Sequence, residues 1–524
     1  MPDNHVDVAI IGGGITGLSA AWFLQEQAWE AEAPLSYAVL ESSDRWGGKL
    51  YTETVDGYGS GPFVVEGGPD SYITTKPWAW QLTGKLDLQD EALGTNDAQR
   101  KTYVLNKGKP TPLPDGVMLI VPTRFTPFAL SPLISPWGKL RMGMDLFIPR
   151  QKDGRDETLA DFIRRRLGQE ALDKIAEPLM SGIYNAEAEK QSVLATFPRF
   201  REIEAQHGSL IRGMLAAKRS GAKRTGANGA SANGASPDVQ GTAPTAARPP
   251  SAFVSYKPGM ERLVERLLED LDGDLRLNTA VLSISRNFEG YDLTTSEGNL
   301  HATAVILAVP AYVAADIIRN LAPQSAEKLR QIRYVSTGTI SLAYRRDEIG
   351  HPLDGFGIVI PRSERRRINA ITWTSTKFKL RAPDEAVLLR VFFGGSRTPQ
   401  MFDKADEELE AVVRDELREI MGITAEPLFR RIYRWPRANP QYDVDHLQRV
   451  EAIEAGLPPG ILVSGSPYRG IGIPDCVHQA EQSSRSVFQF ISEFGSGKAA
   501  ERQGGVDQFR TPNSQLPHPT SEIQ

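Results

Sequence analysis

The 524 residues include a single cysteine, Cys476. That excludes an intramolecular disulfide and any zinc or iron–sulfur site built on thiolates, and it fits a reducing, cytoplasmic compartment. The seven histidines are scattered without the spacing of metal ligands, so no metal is expected. No apolar run reaches the roughly 18 residues that a bilayer-spanning helix needs. Met1-Pro2-Asp3-Asn4-His5 lacks the basic stretch of a secretory signal. A net charge of −5 argues against nucleic acid as a main partner, and Arg164-Arg165-Arg166 and Arg365-Arg366-Arg367 read as solvated helix or turn faces. What remains is length and an apolar content of 40%, enough to bury a large core spread over several domains.

The strongest pattern lies in the first fifty residues. Val6-Asp7-Val8-Ala9-Ile10-Ile11 is apolar, short and bounded by glycine, which predicts a parallel strand covered on both faces. Gly12, Gly13, Gly14, Ile15, Thr16 and Gly17 follow in G-x-G-x-x-G spacing. In that spacing the first glycine allows a tight turn, the second a close approach to a pyrophosphate, and the third close packing of helix on strand. A helix is expected through Leu18, Ala21, Trp22 and Leu24, its N-terminus facing the diphosphate. A second strand, Ser36 to Leu40, delivers Glu41 at 24 positions past Gly17. A carboxylate there accepts from both ribose hydroxyls and disfavours a 2′-phosphate.

Beyond the acid, Ser42, Ser43, Asp44, Arg45, Trp46, Gly47, Gly48 and Lys49 continue where a nicotinamide enzyme would start another helix. This segment resembles the second dinucleotide signature of FAD-containing amine oxidases, in which the arginine and glycine pair line the diphosphate. The resemblance implies FAD. Glu66-Gly67-Gly68-Pro69-Asp70-Ser71-Tyr72 takes the form that this loop has in porphyrinogen oxidases, where Gly68, Pro69, Asp70 and Ser71 pass beside the flavin ring. Pro178 to Glu187 with Gln191 to Pro198 is similar to the porphyrinogen oxidase segment P-x-x-S-G-[IV]-[YF]-A-G-D … L-S … F-P, departing from it at Asn185-Ala186-Glu187. Gly470-Ile471-Gly472-Ile473-Pro474-Asp475-Cys476 resembles the closing motif of the same branch, whose helix N-terminus points at the flavin N1–C2=O edge. Pro474 and Asp475 also suit a helix start on their own account, by preset φ and by complementing the dipole. Cys476 reads as a buried structural thiol, with covalent flavin attachment, as in monoamine oxidases, as the other reading.

The porphyrinogen oxidase branch implies an α/β fold: a discontinuous Rossmann-type FAD-binding domain at 1–75, 253–310 and 455–495, an antiparallel-sheet substrate domain at 76–115 and 311–454, and a helical subdomain at 116–217. It also places the Val281 backbone near the adenine and Trp435, after a strand Phe429 to Arg434, near the flavin. Composition without large apolar side chains predicts disorder at 218–252 and from 496 to 524. The resemblance further implies oxygen-dependent six-electron oxidation of coproporphyrinogen III, or of protoporphyrinogen IX, in haem biosynthesis. Hydride passes to FAD in three two-electron steps, and reoxidation by O2 gives hydrogen peroxide. Lys76 is placed to pair with a substrate carboxylate, and Ile183 and Tyr184 to wall the macrocycle pocket; no catalytic nucleophile, base or triad is expected. An amine oxidase or carotenoid-type desaturase would share the N-terminal signature but lack Ile-Pro-Asp-Cys. Val117 to Pro122 and Phe125 to Ile148 suit either a cover over the substrate cavity or peripheral contact with the inner face of a membrane. Assembly into a homodimer is neither implied nor excluded.

Overall fold

A computed structural model describes residues 4–114, 117–118, 121–122, 130–225 and 248–503. The first of its two large sheets forms around His5–Ile11, in which Val8, Ala9 and Ile10 are fully buried, as expected of a strand covered on both faces. The strand order is Asp274–Arg276, Tyr37–Leu40, His5–Ile11, Gly298–Leu307, Tyr291–Thr295 and Val281–Arg286, with Ile461–Val463 beside the last part of Gly298–Leu307. Gly298–Leu307 does two jobs: its start closes an antiparallel hairpin with Tyr291–Thr295, and from His301 on it runs parallel to the opening strand. One face of the sheet is covered by Ile15–Glu30, Arg262–Asp270 and the closing helix Ile473–Gln503.

The other face is covered by three further helices. Ala311–Ile317, Pro323–Arg330 and His446–Glu454, assigned from sequence to the substrate domain, pack through Ala311, Ala314, Leu329, Val450 and Ile453 on Val305 and Leu293 of the first sheet. An apolar helical stripe shows that a helix covers something, not which sheet it covers.

The second sheet runs Phe429–Pro440, Tyr334–Arg345, Ala386–Gly394, Ala370–Trp373, Gly355–Val359, Lys101–Asn106 and Lys109–Pro112. It is antiparallel except where Gly355–Val359 lies parallel to Lys101–Asn106. The helix Asp406–Met421 closes its core with Leu409, Val413 and Leu417, all fully buried. Trp435 lies within the strand Phe429–Pro440, and not after it as expected.

Between the sheets in sequence lies the helical region, where Phe162, Ile163 and Ile175 are buried around a fully buried Arg166–Asp145 ion pair at 2.6 Å. The segments expected to be disordered are described only in part. The backbone is helical through Thr225 and again through Gln503, because Ala, Lys, Arg, Glu and Gln are strong helix formers even where no large apolar residue is present. The rest of both expected disordered segments, apart from 248–252, lies outside the described residues.

Candidate functional site

At the end of the opening strand Gly12 turns the chain with φ +110°. A Cβ on Gly17 would stand 1.8 Å from the Gly12 carbonyl oxygen, so only glycine lets the first turn of Ile15–Glu30 lie this close to the strand. Gly14 is the N-cap; no side chain caps the helix and no acid occupies its first turn. The first-turn N–H groups, which have no acceptor inside the helix, therefore face outward with the positive end of the dipole, an arrangement that holds an oxyanion.

The second glycine pair reaches this loop through the backbone. Gly47 N–H donates to the Gly13 carbonyl at 2.8 Å, and a Cβ on Gly14 would meet nothing nearer than the Gly48 Cα at 3.9 Å. The helix N-terminus thus faces a cleft walled largely by backbone, with the Trp46 ring against Gly13. Glu41 stands at its edge, accepting from Gly13 N–H at 2.7 Å and from Ser43 N–H at 2.9 Å, with the Ser42 hydroxyl at 3.4 Å. Asn278 and Thr279 donate N–H to the carbonyls of Ser43 and Glu41, which brings the start of Val281–Arg286 to the same corner. The Arg45 guanidinium donates to the carbonyls of Trp46, Gly48 and Leu50 and lies over the rings of Tyr51 and Trp435 at 5.0 and 5.8 Å. It shapes the loop from within. Lys49 is turned inward and donates to the Ala438 carbonyl at 2.5 Å, its pKa lowered by burial.

The Gly67–Ser71 loop is held by the second sheet. Gly68 has room for no side chain, since a Cβ would stand 1.7 Å from the Lys49 carbonyl oxygen. Trp435 Nε1–H donates to the Gly67 carbonyl at 2.8 Å and Arg390 to the Gly68 carbonyl at 2.6 Å. Beyond Pro69, the Asp70 carboxylate takes both Lys377 (2.8 and 3.0 Å) and the Ser71 hydroxyl at 2.8 Å. Burial alone would raise the Asp70 pKa, but Lys377, Arg390 and Ser71 outweigh it and hold the carboxyl at about 2.

The closing helix begins at Ile473, with Pro474 and Asp475 in its first turn, as expected. Gly470 N–H donates to the Tyr442 hydroxyl at 2.8 Å, and that hydroxyl donates to the Ser466 carbonyl at 2.7 Å. Tyr184, Tyr442 and Ile471 pack together, with Phe197 edge-on to Tyr184 at 5.8 Å; Gly472 accepts from Cys476 N–H at 3.0 Å. Cys476 is buried, and burial pushes its thiol up to about 11 against the pull of Thr16 and Lys49, so it is protonated at neutral pH, as a structural thiol would be. Lys76 is not a free cation: it pairs with both oxygens of Asp475 at 2.6 and 2.8 Å. Ile183 lies in the helix Glu177–Tyr184, but its side chain falls outside the described residues.

Three residues that position this corner were not singled out from sequence. Arg390 had a legible signal, a lone charge inside the apolar run Ala386–Gly394. Lys377 and Tyr442 had none, because their partners are hundreds of residues or a whole strand away. Taken together, an uncapped helix N-terminus, a cleft walled by backbone and a carboxylate beside it fit the diphosphate and ribose of a dinucleotide. Among the described residues no group of histidine, cysteine and acidic side chains could hold a metal, and no helix is long and apolar enough to cross a membrane.

The family model described as "Flavin containing amine oxidoreductase" matches residues 15–488. A coproporphyrinogen III oxidase of Bacillus subtilis (strain 168) is 33% identical over 94% of this chain and 100% of its own length. One from Propionibacterium freudenreichii subsp. freudenreichii is 36% identical over 97% and 96%. A crystal structure from Exiguobacterium sp. 255-15 superposes with a TM-score of 0.78 at 30% identity, covering 92% of this chain and 99% of that one.

Proposed function

The chain belongs to the flavin-containing amine oxidoreductase family, and from that premise we infer that it oxidises coproporphyrinogen III to coproporphyrin III, with FAD as cofactor and dioxygen as acceptor. The observation that carries this reading is end-to-end identity of 33 and 36% with two coproporphyrinogen III oxidases, which takes in the substrate-side elements as well as the dinucleotide loop. The conversion removes six hydrogens from the macrocycle and turns three O2 into three H2O2. Bound FAD supplies the two-electron chemistry.

The protein's own residues then bind, orient and exclude water. The Gly12–Gly17 loop with Gly47 and Gly48 holds the diphosphate, Glu41 the ribose, and the Gly68-Pro69-Asp70-Ser71 loop with Trp435 and Ile471-Gly472-Ile473 the rest of the cofactor. Lys76 keeps 45% of its side chain exposed although it pairs with Asp475, so its outer face can take a substrate carboxylate while Asp475 fixes its position. Tyr184 is a wall of the substrate space. Burial holds the phenols of Tyr184 and Tyr442 and the thiol of Cys476 protonated well above neutral pH. This corner contributes placement, and the pyrrole proton leaves to solvent without a dedicated base.

A peripheral membrane contact has its own support. Trp137, Leu140, Met144 and Phe147 recur at helical spacing from Pro136–Gly143 onward and are 80, 61, 49 and 82% exposed, with Lys139, Arg150 and Lys152 alongside, a combination suited to an anionic lipid interface. Co-sedimentation with anionic vesicles, lost in Trp137→Ser/Phe147→Ser, tests it.

For the reaction, anaerobic stopped-flow mixing with coproporphyrinogen III and with protoporphyrinogen IX is decisive. The tetracarboxylate should bleach the flavin absorbance faster, and Lys76→Gln should narrow the gap. Faster bleaching by protoporphyrinogen IX would reassign the substrate; bleaching by an amine alone would leave only the cofactor half of the reading.

A further inference from the structure

Away from the flavin corner, the second sheet ends in a cavity of about 320 Å³ between the turn after Gly355–Val359 and the loop after Ala386–Gly394. Its lining includes the apolar residues Ile360, Pro361 and Ile368. Around it stand four arginines, Arg362, Arg365, Arg366 and Arg397, and no acidic side chain lines it. The carboxylates that pair with three of them therefore stand outside its walls: Glu177 at 2.5 Å from Arg397, Glu189 at 3.9 Å from Arg362, and Glu416 at 3.5 Å from Arg366, which also meets Glu419.

Arg365 is the exception. Among the described residues it has no ion pair, and it caps the turn Arg362–Glu364 in the left-handed conformation, with φ 53° and ψ 34°. Glycine or asparagine occupies that conformation without strain, whereas an arginine does not. Among the described residues its side chain is exposed and makes no ion pair, which leaves the guanidinium available to a bound anion.

We propose that this cavity is a binding site for a compact organic polyanion bearing two or more carboxylate or phosphate groups. Guanidinium groups recognise such groups through paired, charge-assisted hydrogen bonds. The volume lies at the lower end of small-molecule sites, which suits a small acid or phosphate ester and not a tetrapyrrole, so the site is separate from that of the porphyrinogen. It is also tied to the helix that carries Tyr184: Arg397 pairs with Glu177 at the helix start, and Ser396 Oγ donates to the Asn185 carbonyl just past its end, at 3.1 Å.

The test titrates the flavin-loaded enzyme by calorimetry with citrate and, separately, with inorganic pyrophosphate at constant ionic strength. Saturable one-to-one binding of either probe is expected: citrate alone identifies a polycarboxylate, pyrophosphate alone a phosphate compound. Arg365→Gly removes the guanidinium and suits the left-handed backbone, so it should keep or raise the melting temperature while weakening binding by about tenfold or more. Arg345→Ala, at an exposed arginine paired with Asp347, should bind as the parent does. Absence of saturation with both probes, unchanged affinity in Arg365→Gly, or equal weakening in Arg345→Ala would overturn the proposal.

Discussion

The two sheets build their parts of the proposed cofactor site by different means. In the first, the backbone does the positioning: a helix N-terminus without a cap, two glycine pairs within contact of each other, and Glu41 held by the N–H groups of Gly13 and Ser43. In the second, long side chains from distant strands do it, with Lys377 and Arg390 on Asp70 and Gly68, and Trp435 on Gly67. Backbone devices tolerate no added atom but need few partners. Side-chain struts tolerate changes of shape but depend on charge balance in a buried place.

The largest expected effect lies in the first sheet. Gly17→Ala puts a carbon 1.8 Å from the Gly12 carbonyl oxygen, and neither backbone segment can give way without moving the helix off the strand. The variant should purify without flavin, read as the ratio of flavin to protein absorbance. A yellow Gly17→Ala protein would show that the loop is softer than its contacts imply.

Next comes the side-chain half. Asp70→Asn leaves Lys377 buried without its counter-charge and Arg390 with Glu66 alone, and losing one member of a buried ion pair costs about 3 to 5 kcal/mol. Denaturant unfolding should show that loss. Lys377→Met in the same chain should recover part of it, because the cation left unpaired is then gone. If Asp70→Asn is neutral, the loop is held by the backbone after all and the two halves do not differ.

This difference in means also explains what could be read from the sequence. Gly12 to Gly17, Glu41, Gly47-Gly48 and the Pro474-Asp475 helix start work through short-range geometry, so each leaves a local pattern. The Asp70–Lys377 pair spans 307 positions and Lys76–Asp475 spans 399, and neither partner carries any mark of the other. The pairing of Lys76 with Asp475 is therefore visible only in the structure. Likewise nothing local in residues 311–330 and 446–454 shows that their helices cover the first sheet, because the contact is made only when distant strands come together.

One strut does reach into the backbone half, and pH exposes it. His446 stacks on Tyr442 at 3.9 Å, and Tyr442 holds Gly470 ahead of the closing helix. Burial pushes the His446 pKa down to about 4 from its ordinary 6.5. The unfolded chain therefore binds this proton more strongly, so the contribution of the neutral ring is complete above about pH 6.5 and is lost as pH falls towards 4, by about 3 kcal/mol over that window. Thermal unfolding against pH should show the slope, and His446→Gln should flatten it.

The smallest effect separates shape from hydrogen bonding within a single strut. Trp435 supplies a ring against Arg45 at 5.8 Å and an N–H to the Gly67 carbonyl at 2.8 Å. Trp435→Phe keeps most of the ring and removes the donor, which leaves that carbonyl to Arg390 alone, at 3.4 Å. A hydrogen bond of this kind is worth about 1 kcal/mol net, so stability should fall by that much, while flavin affinity, measured by release of the cofactor under denaturant, should fall further if the Gly67–Ser71 loop must stay rigid to hold it. Equal losses in the two measurements would mean that the loop matters to the fold and not to the cofactor, and the second sheet would then be a support for the site rather than a wall of it.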